Sequence, residues 1–154
     1  MVTTADEATS AARAKAPWHV WAVGVLGLLW NSYGCFDYYM SKTRGDAYLQ
    51  SVGMTAEQIT YFNAMPGWMT AVWAVGVWGA LLGAVLLLAR NRYAVPVFIA
   101  SLVAYVTSVL YQRLVAPMPG GDATAMLVMQ LVIFAGCVFF VWYAMRARTR
   151  GWIR

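Results

Sequence analysis

A carboxylate inside an oily segment is the one residue of this chain whose placement invites chemistry. Asp37 lies in the polar second half of an apolar stretch running from Trp18 to Met40, where the string WNSYGCFDYY begins at Trp30. It is the only acid within any hydrophobic segment of the protein. Ionisable residues in membrane spans often mark ion or substrate pathways. Coupling sites usually sit near the bilayer midplane, whereas Asp37 is shallow, close to Lys42 and Arg44 in sequence. Two readings stand side by side: a proton- or cation-coupled site, and an interfacial carboxylate paired with Lys42, Arg44 or Arg113.

The remaining polar side chains in hydrocarbon are few. Asn31 and Gln130 fall at similar depth in the first and last apolar segments by helical rise, so a hydrogen bond between them is expected. It is either interhelical glue or part of an outward-facing polar pocket formed with Asp37, Tyr38, Thr70, Tyr111 and Gln112. Reactive constellations are missing from the sequence. Cys35 and Cys137 lack the paired spacing of a redox or zinc motif and read as small buried hydrophobes. His19, the single histidine, excludes a bis-histidine haem within one subunit. No catalytic residue, metal site or cofactor is expected. The chain reads as a non-enzyme, since an enzyme would need paired carboxylates, a cysteine pair or a histidine cluster.

Composition sets the class. The 154 residues are 62% hydrophobic and 11% charged, with a mean hydropathy of +0.60. A soluble domain carries about 25% charged residues, so this chain cannot cover itself with polar surface. Eight Trp and nine Tyr suit a membrane protein, whose interfaces are enriched in these rings. The positive charges are not gathered into one patch, which argues against nucleic acid as a partner.

Four segments are long enough to cross roughly 30 Å of hydrocarbon: about residues 18–40, 68–89, 93–112 and 123–145. Pro96 is acceptable in a helix's first turn, where its missing donor would be unpaired anyway. The fold class expected is an all-α integral membrane four-helix bundle occupying residues 17–146. Residues 1–16 read as a flexible cytoplasmic tail and 147–154 as a basic one. Between Ser41 and Gly67, Thr55 and Gln58 have capping-box spacing, with Ile59, Phe62 and Met65 at helical intervals before Pro66. That pattern predicts one short amphipathic helix over the outer mouth.

Orientation follows from the bases. Arg13, Lys15, Arg90, Arg92, Arg146, Arg148, Arg150 and Arg154 share one face, against Lys42, Arg44 and Arg113 on the other. Both termini are therefore expected in the cytoplasm, with the spans in a bacterial inner membrane. Packing in lipid depends on close approach at small residues. Gly24, Gly27 and Gly34 form such a stripe on span one, and Gly76, Gly79 and Gly83 on span two. The string WAVGV occurs at residues 21–25 and again at 73–77, which we read as two packing faces.

Several strings also carry a resemblance: LLWNSYGCFDYYMSKTRGDAYL, MTAEQITYF followed by MPGW, WAVGVWGALLGAVLLLARNRYAVPVF, and the closing ARTRGWIR. Through them nearly the whole chain after residue 17 resembles a family of small uncharacterised bacterial inner-membrane proteins with four helices. The resemblance implies a fold and a location; members often bear a loose "sugar transporter" label. Two functions are expected on these grounds. One is a non-enzymatic bundle that scaffolds or modulates a membrane-protein partner in the lipid bilayer. The alternative is one subunit of an oligomeric small-solute transporter or channel, its homo-oligomer enclosing the outward-facing pocket.

Overall fold

The computed structural model describes residues 16–154; the expected tail, with Arg13 and Lys15, lies almost wholly outside them. Every regular element among the described residues is helical. Two long helices open and close the chain, α1 (Trp18–Thr43) and α6 (Ala123–Thr149). Between them come the short α2 (Asp46–Ser51) and α3 (Ala56–Asn63), then the long α4 (Gly67–Leu88) and α5 (Ala94–Leu110). A π-helical turn, Tyr111–Val115, extends α5.

Among the described residues, three helices are long and apolar enough to cross a membrane: α4, α5 with its π-helical extension, and α6. α1 matches them in length but not in oiliness. His19, Asn31, Ser32 and Asp37, with their polar aromatic neighbours, dilute its hydrocarbon character.

The long helices stand side by side in the order α1, α4, α5, α6. Small residues set the α4–α5 spacing: a Cβ on Gly79 would come within 3.4 Å of the Ser101 side chain, and one on Gly76 within 3.9 Å of Ala104 Cβ. Ser101 Oγ crosses the same seam to donate to the Gly76 carbonyl at 2.6 Å. Gly24 faces Leu88 and Gly34 faces Val77, so α1 uses its glycines against α4. Gly27 lies between Ala84 and the Phe140 ring of α6.

Two elements in the long connection arise differently. α3 starts at a full capping box: Thr55 Oγ1 accepts from the Gln58 amide at 3.3 Å, and Gln58 Oε1 accepts from the Thr55 amide at 3.0 Å. Two otherwise unpaired donors are satisfied reciprocally. α2 was not anticipated, because six residues display no readable period. It is held by Tyr48 and Leu49, which pack with Ile59 of α3 into a small core over the end of α1. α6 begins at Asp122, whose carboxylate accepts from the Thr124 and Ala125 amides at 2.8 and 3.2 Å.

At the end of the molecule where the described chain starts and finishes, packing is dense. Val20, Ala84, Leu87, Phe98, Tyr143, Ala144, Ala147 and Ile153 form one buried cluster. The last residues do not trail away as the basic tail that the sequence suggested. α6 continues to Thr149, after which the chain folds back onto the α4–α5 turn. The Arg154 amide donates to the Arg90 carbonyl at 2.9 Å, and the Arg92 amide to the Arg154 carbonyl at 2.7 Å. Arg90 Nε reaches the Trp152 carbonyl at 2.8 Å. Arg90 adopts a left-handed backbone, φ +57°, of the kind glycine usually supplies after a helix; these tethers offset the strain.

Candidate functional site

At the opposite end, the loop end, the long helices do not close. A cleft of about 810 Å³ runs between them, within the ~300–1,000 Å³ usual for ligand pockets, lined by residues of all four long helices and roofed by Met54, Phe62 and Met65 of the long connection. Its lining on α6 extends from Met129 to Phe140, roughly 16 Å of helix, about half the hydrocarbon thickness of a bilayer. Phe98 and Phe140, stacked at 5.4 Å with planes 13° apart, lie at its inner limit. Beyond them is the dense cluster.

The cleft exists because α1 and α6 meet only at one end. Near the termini, His19 Nδ1 and the Tyr143 hydroxyl share a hydrogen bond at 2.5 Å, and the His19 ring sits edge-on to Trp152 at 4.9 Å. Toward the loop end, α6 is held to α5 instead. The Tyr105 hydroxyl donates to the Gln130 carbonyl at 2.7 Å, and Arg113 donates to Gln130 Oε1 at 2.8 Å. Its buried residues, Val141, Tyr143, Ala144 and Ala147, all belong to the other half of the helix.

The expected Asn31–Gln130 hydrogen bond is therefore absent. Asn31 Nδ2 points to the Ala80 carbonyl of α4 at 3.4 Å, while the Gln130 side chain binds Arg113. Both residues line the cleft, on opposite walls. Adjacency does not follow from depth along a helix, because α4 and α5 stand between α1 and the loop-end half of α6.

The other candidate residues divide. Asp37, Thr70 and Gln112 line the cleft. Tyr38 and Tyr111 do not: Tyr38 packs edge-on against Trp73 at 4.8 Å, and Tyr111 against Trp68 at 5.3 Å. Asp37 pairs with none of its expected bases. Its Oδ1 accepts from the Tyr48 hydroxyl at 2.8 Å, tying α2 to α1. Lys42, named from the sequence only as an orientation charge and a candidate partner of Asp37, also lines the cleft. Its Nζ donates to Thr70 Oγ1 at 3.3 Å and lies 5.4 Å from the centre of the Phe62 ring.

Tyr48 is buried at 8% exposure, and burial, followed by the bond to Asp37, pushes its pKa up to about 12. A raised tyrosine pKa stabilises the fold through the neutral phenol. That contribution is complete below the ordinary value of about 10 and is lost as pH rises toward about 12. The α2–α3 cap should accordingly stay docked through pH 10 and loosen above it. The tyrosinate absorbance titrating toward about 12 should lose one group's amplitude in Tyr48→Phe.

Several wall polar groups are already engaged. Ser101 donates to Gly76, Tyr105 to Gln130, and the Cys35 thiol, beside the cleft, to the Val77 carbonyl at 3.3 Å. What remains facing the space is largely carbon and sulfur: Met54, Met65, Met69, Met118 and Met129, with Trp30, Trp73, Ile133 and Phe140. Methionine's flexible thioether adapts to irregular apolar shapes. Among the described residues, no cluster of His, Cys, Asp and Glu could hold a metal ion.

The class defined by these features is an all-helical membrane protein with a one-sided apolar cleft. Comparison with protein-family models, with curated proteins and with solved structures yields no match.

Proposed function

We propose that the chain is a non-enzymatic, four-span protein of a bacterial inner membrane, with α1 as the extra crossing and both termini cytoplasmic. The arginine-rich end around Arg90, Arg92, Arg146 and Arg148 supports that orientation, and the resemblance drawn from the span-one and span-three strings supports the family. Its working part is the cleft, a receptacle for an apolar guest. Occupancy lets the protein serve a larger membrane assembly as a binding or modulating subunit.

One observation carries this reading: an 810 Å³ space left open between α1 and α6 while the other half of the same helices packs tightly. The small-residue faces, of the kind that suit a partner helix, are engaged inside the chain against Leu88, Val77, Ser101 and Phe98. A sugar fits poorly, because each buried hydroxyl would need a hydrogen-bond partner and the walls are largely carbon and sulfur. Passage through a single chain would also require the Phe98–Phe140 floor to part, so the cleft supports holding more directly than conduction.

Gly136 supplies the test. It lines the cleft, and a Cβ there would meet nothing within 4 Å. Gly136→Trp should fill the space without disturbing the helices. Native mass spectrometry of protein extracted in mild detergent should show a bound mass on the parent and none on the variant, at unchanged unfolding temperature. Equal adducts on both would refute the receptacle.

A further inference from the structure

We propose that the guest is one zwitterionic aminophospholipid, its chains in the cleft and its headgroup between Lys42 and Asp37. This rests on the cleft being a binding site, and adds which molecule it selects.

The opening is lateral. The loop-end mouth is roofed by Met54 and Phe62, whereas the rims on α1 and α6 stand bare: Leu29 is 66% exposed, Tyr33 69% and Met129 58%. A water-soluble ligand would need the roofed end. A lipid already lies alongside the open flank, and its acyl chain matches walls that are largely carbon and sulfur.

The headgroup follows from charge. Lys42 and Asp37 are the only charged residues lining the cleft, and both sit at its loop end. Among the described residues no carboxylate pairs with Lys42, whose ammonium touches only Thr70 and the Phe62 ring. Asp37 gives one oxygen to Tyr48 and keeps the other without a described donor. One cation with vacant donors and one half-engaged carboxylate complement a phosphate joined to an ammonium. A headgroup of net negative charge would satisfy Lys42 but face the Asp37 carboxylate. Charge-assisted hydrogen bonds of this kind are the strong ones.

The test equilibrates the purified full chain with vesicles holding equal phosphatidylethanolamine and phosphatidylglycerol of identical chains, then reads retained lipid by native mass spectrometry. Phosphatidylethanolamine should be favoured by roughly tenfold, the scale of one charge-assisted hydrogen bond. Asp37→Asn should bring the two lipids near parity and Lys42→Ala should weaken retention of both, while Gly136→Trp sheds both. Should Gly136→Trp keep its lipid, the receptacle reading itself fails. Should that variant shed lipid while the parent holds both kinds equally, or Asp37→Asn retain the preference, or Lys42→Ala hold both lipids as firmly as the parent, the headgroup assignment alone is overturned. A lipid-free dimer of the parent would overturn it as well, naming a second copy as the occupant.

Discussion

Gly83→Val should be among the most damaging substitutions in this protein, lowering stability by about 3 kcal/mol, the upper range for overpacking a tight core. A Cβ at Gly83 would lie 2.7 Å from two carbons of the Phe98 ring and 2.9 Å from a third. Real side chains do not approach so closely, so either the ring or the helix must move. The ring is not free to move, because Phe98 is 3% exposed and stacked on Phe140. Displacing it separates α4 from α5 and undermines the floor of the cleft. Gly136→Ala is the control: open space around its Cβ leaves only the helix-propensity gain of up to about 1 kcal/mol over glycine. Thermal unfolding in detergent should show a marked drop for the first variant and none for the second.

Ile153→Ala should cost about 2–5 kcal/mol, as expected for truncating a buried branched aliphatic side chain. Ile153 is 2% exposed within the terminal-end cluster, beside Trp152. Its seat depends on the fold-back that joins Arg154 to the Arg90 and Arg92 backbone. Losing it should loosen the only end where α1 and α6 are fastened, so the His19–Tyr143 contact should weaken too. Val52→Ala, at a 51% exposed position of the outer connection, should stay within about 0.5 kcal/mol. Unfolding temperatures of the two variants, compared in one detergent, check the contrast.

How much of this was readable beforehand depends on which residues carried a local signal. The apolar lengths of α4, α5 and α6 are written in the composition of single segments, and the Thr55–Gln58 box is written in spacing. α1 was harder, since Asn31, Ser32 and Asp37 make it longer than it is oily. Its membrane crossing remains a proposal on those grounds. Depth could be computed from position along a helix, which is how Asn31 and Gln130 were matched. Neighbourhood could not: it depends on which faces meet, and Phe140 packing over Gly27 is a long-range contact between the two ends of the chain.

Asn31, Asp37, Thr70, Gln112 and Gln130 of the expected pocket do line the cleft, but its apolar extent was hidden for the same reason. Its walls are ordinary span residues, and Met54, Met65, Met69, Met118 and Met129 share no period that would announce a common surface. Lys42 looked like one more charge after a span until Thr70 and Phe62 came within reach of it. Trp152 and Ile153, set in a run of arginines, looked like tail residues because two apolar positions form no pattern. Their burial appears only once the α4–α5 turn supplies a surface to fold onto.

The claim that α1 and α6 leave a reachable space between them can be tested with the protein's own two thiols. Cys137 lines the cleft, while Cys35 is 5% exposed and donates its thiol hydrogen to Val77. An uncharged organomercurial added to the folded protein in vesicles should modify Cys137 promptly and Cys35 only on unfolding, with Gly136→Trp slowing the first reaction. Two equally sluggish thiols in the parent would mean that the helices close on each other, and the cleft account would be wrong.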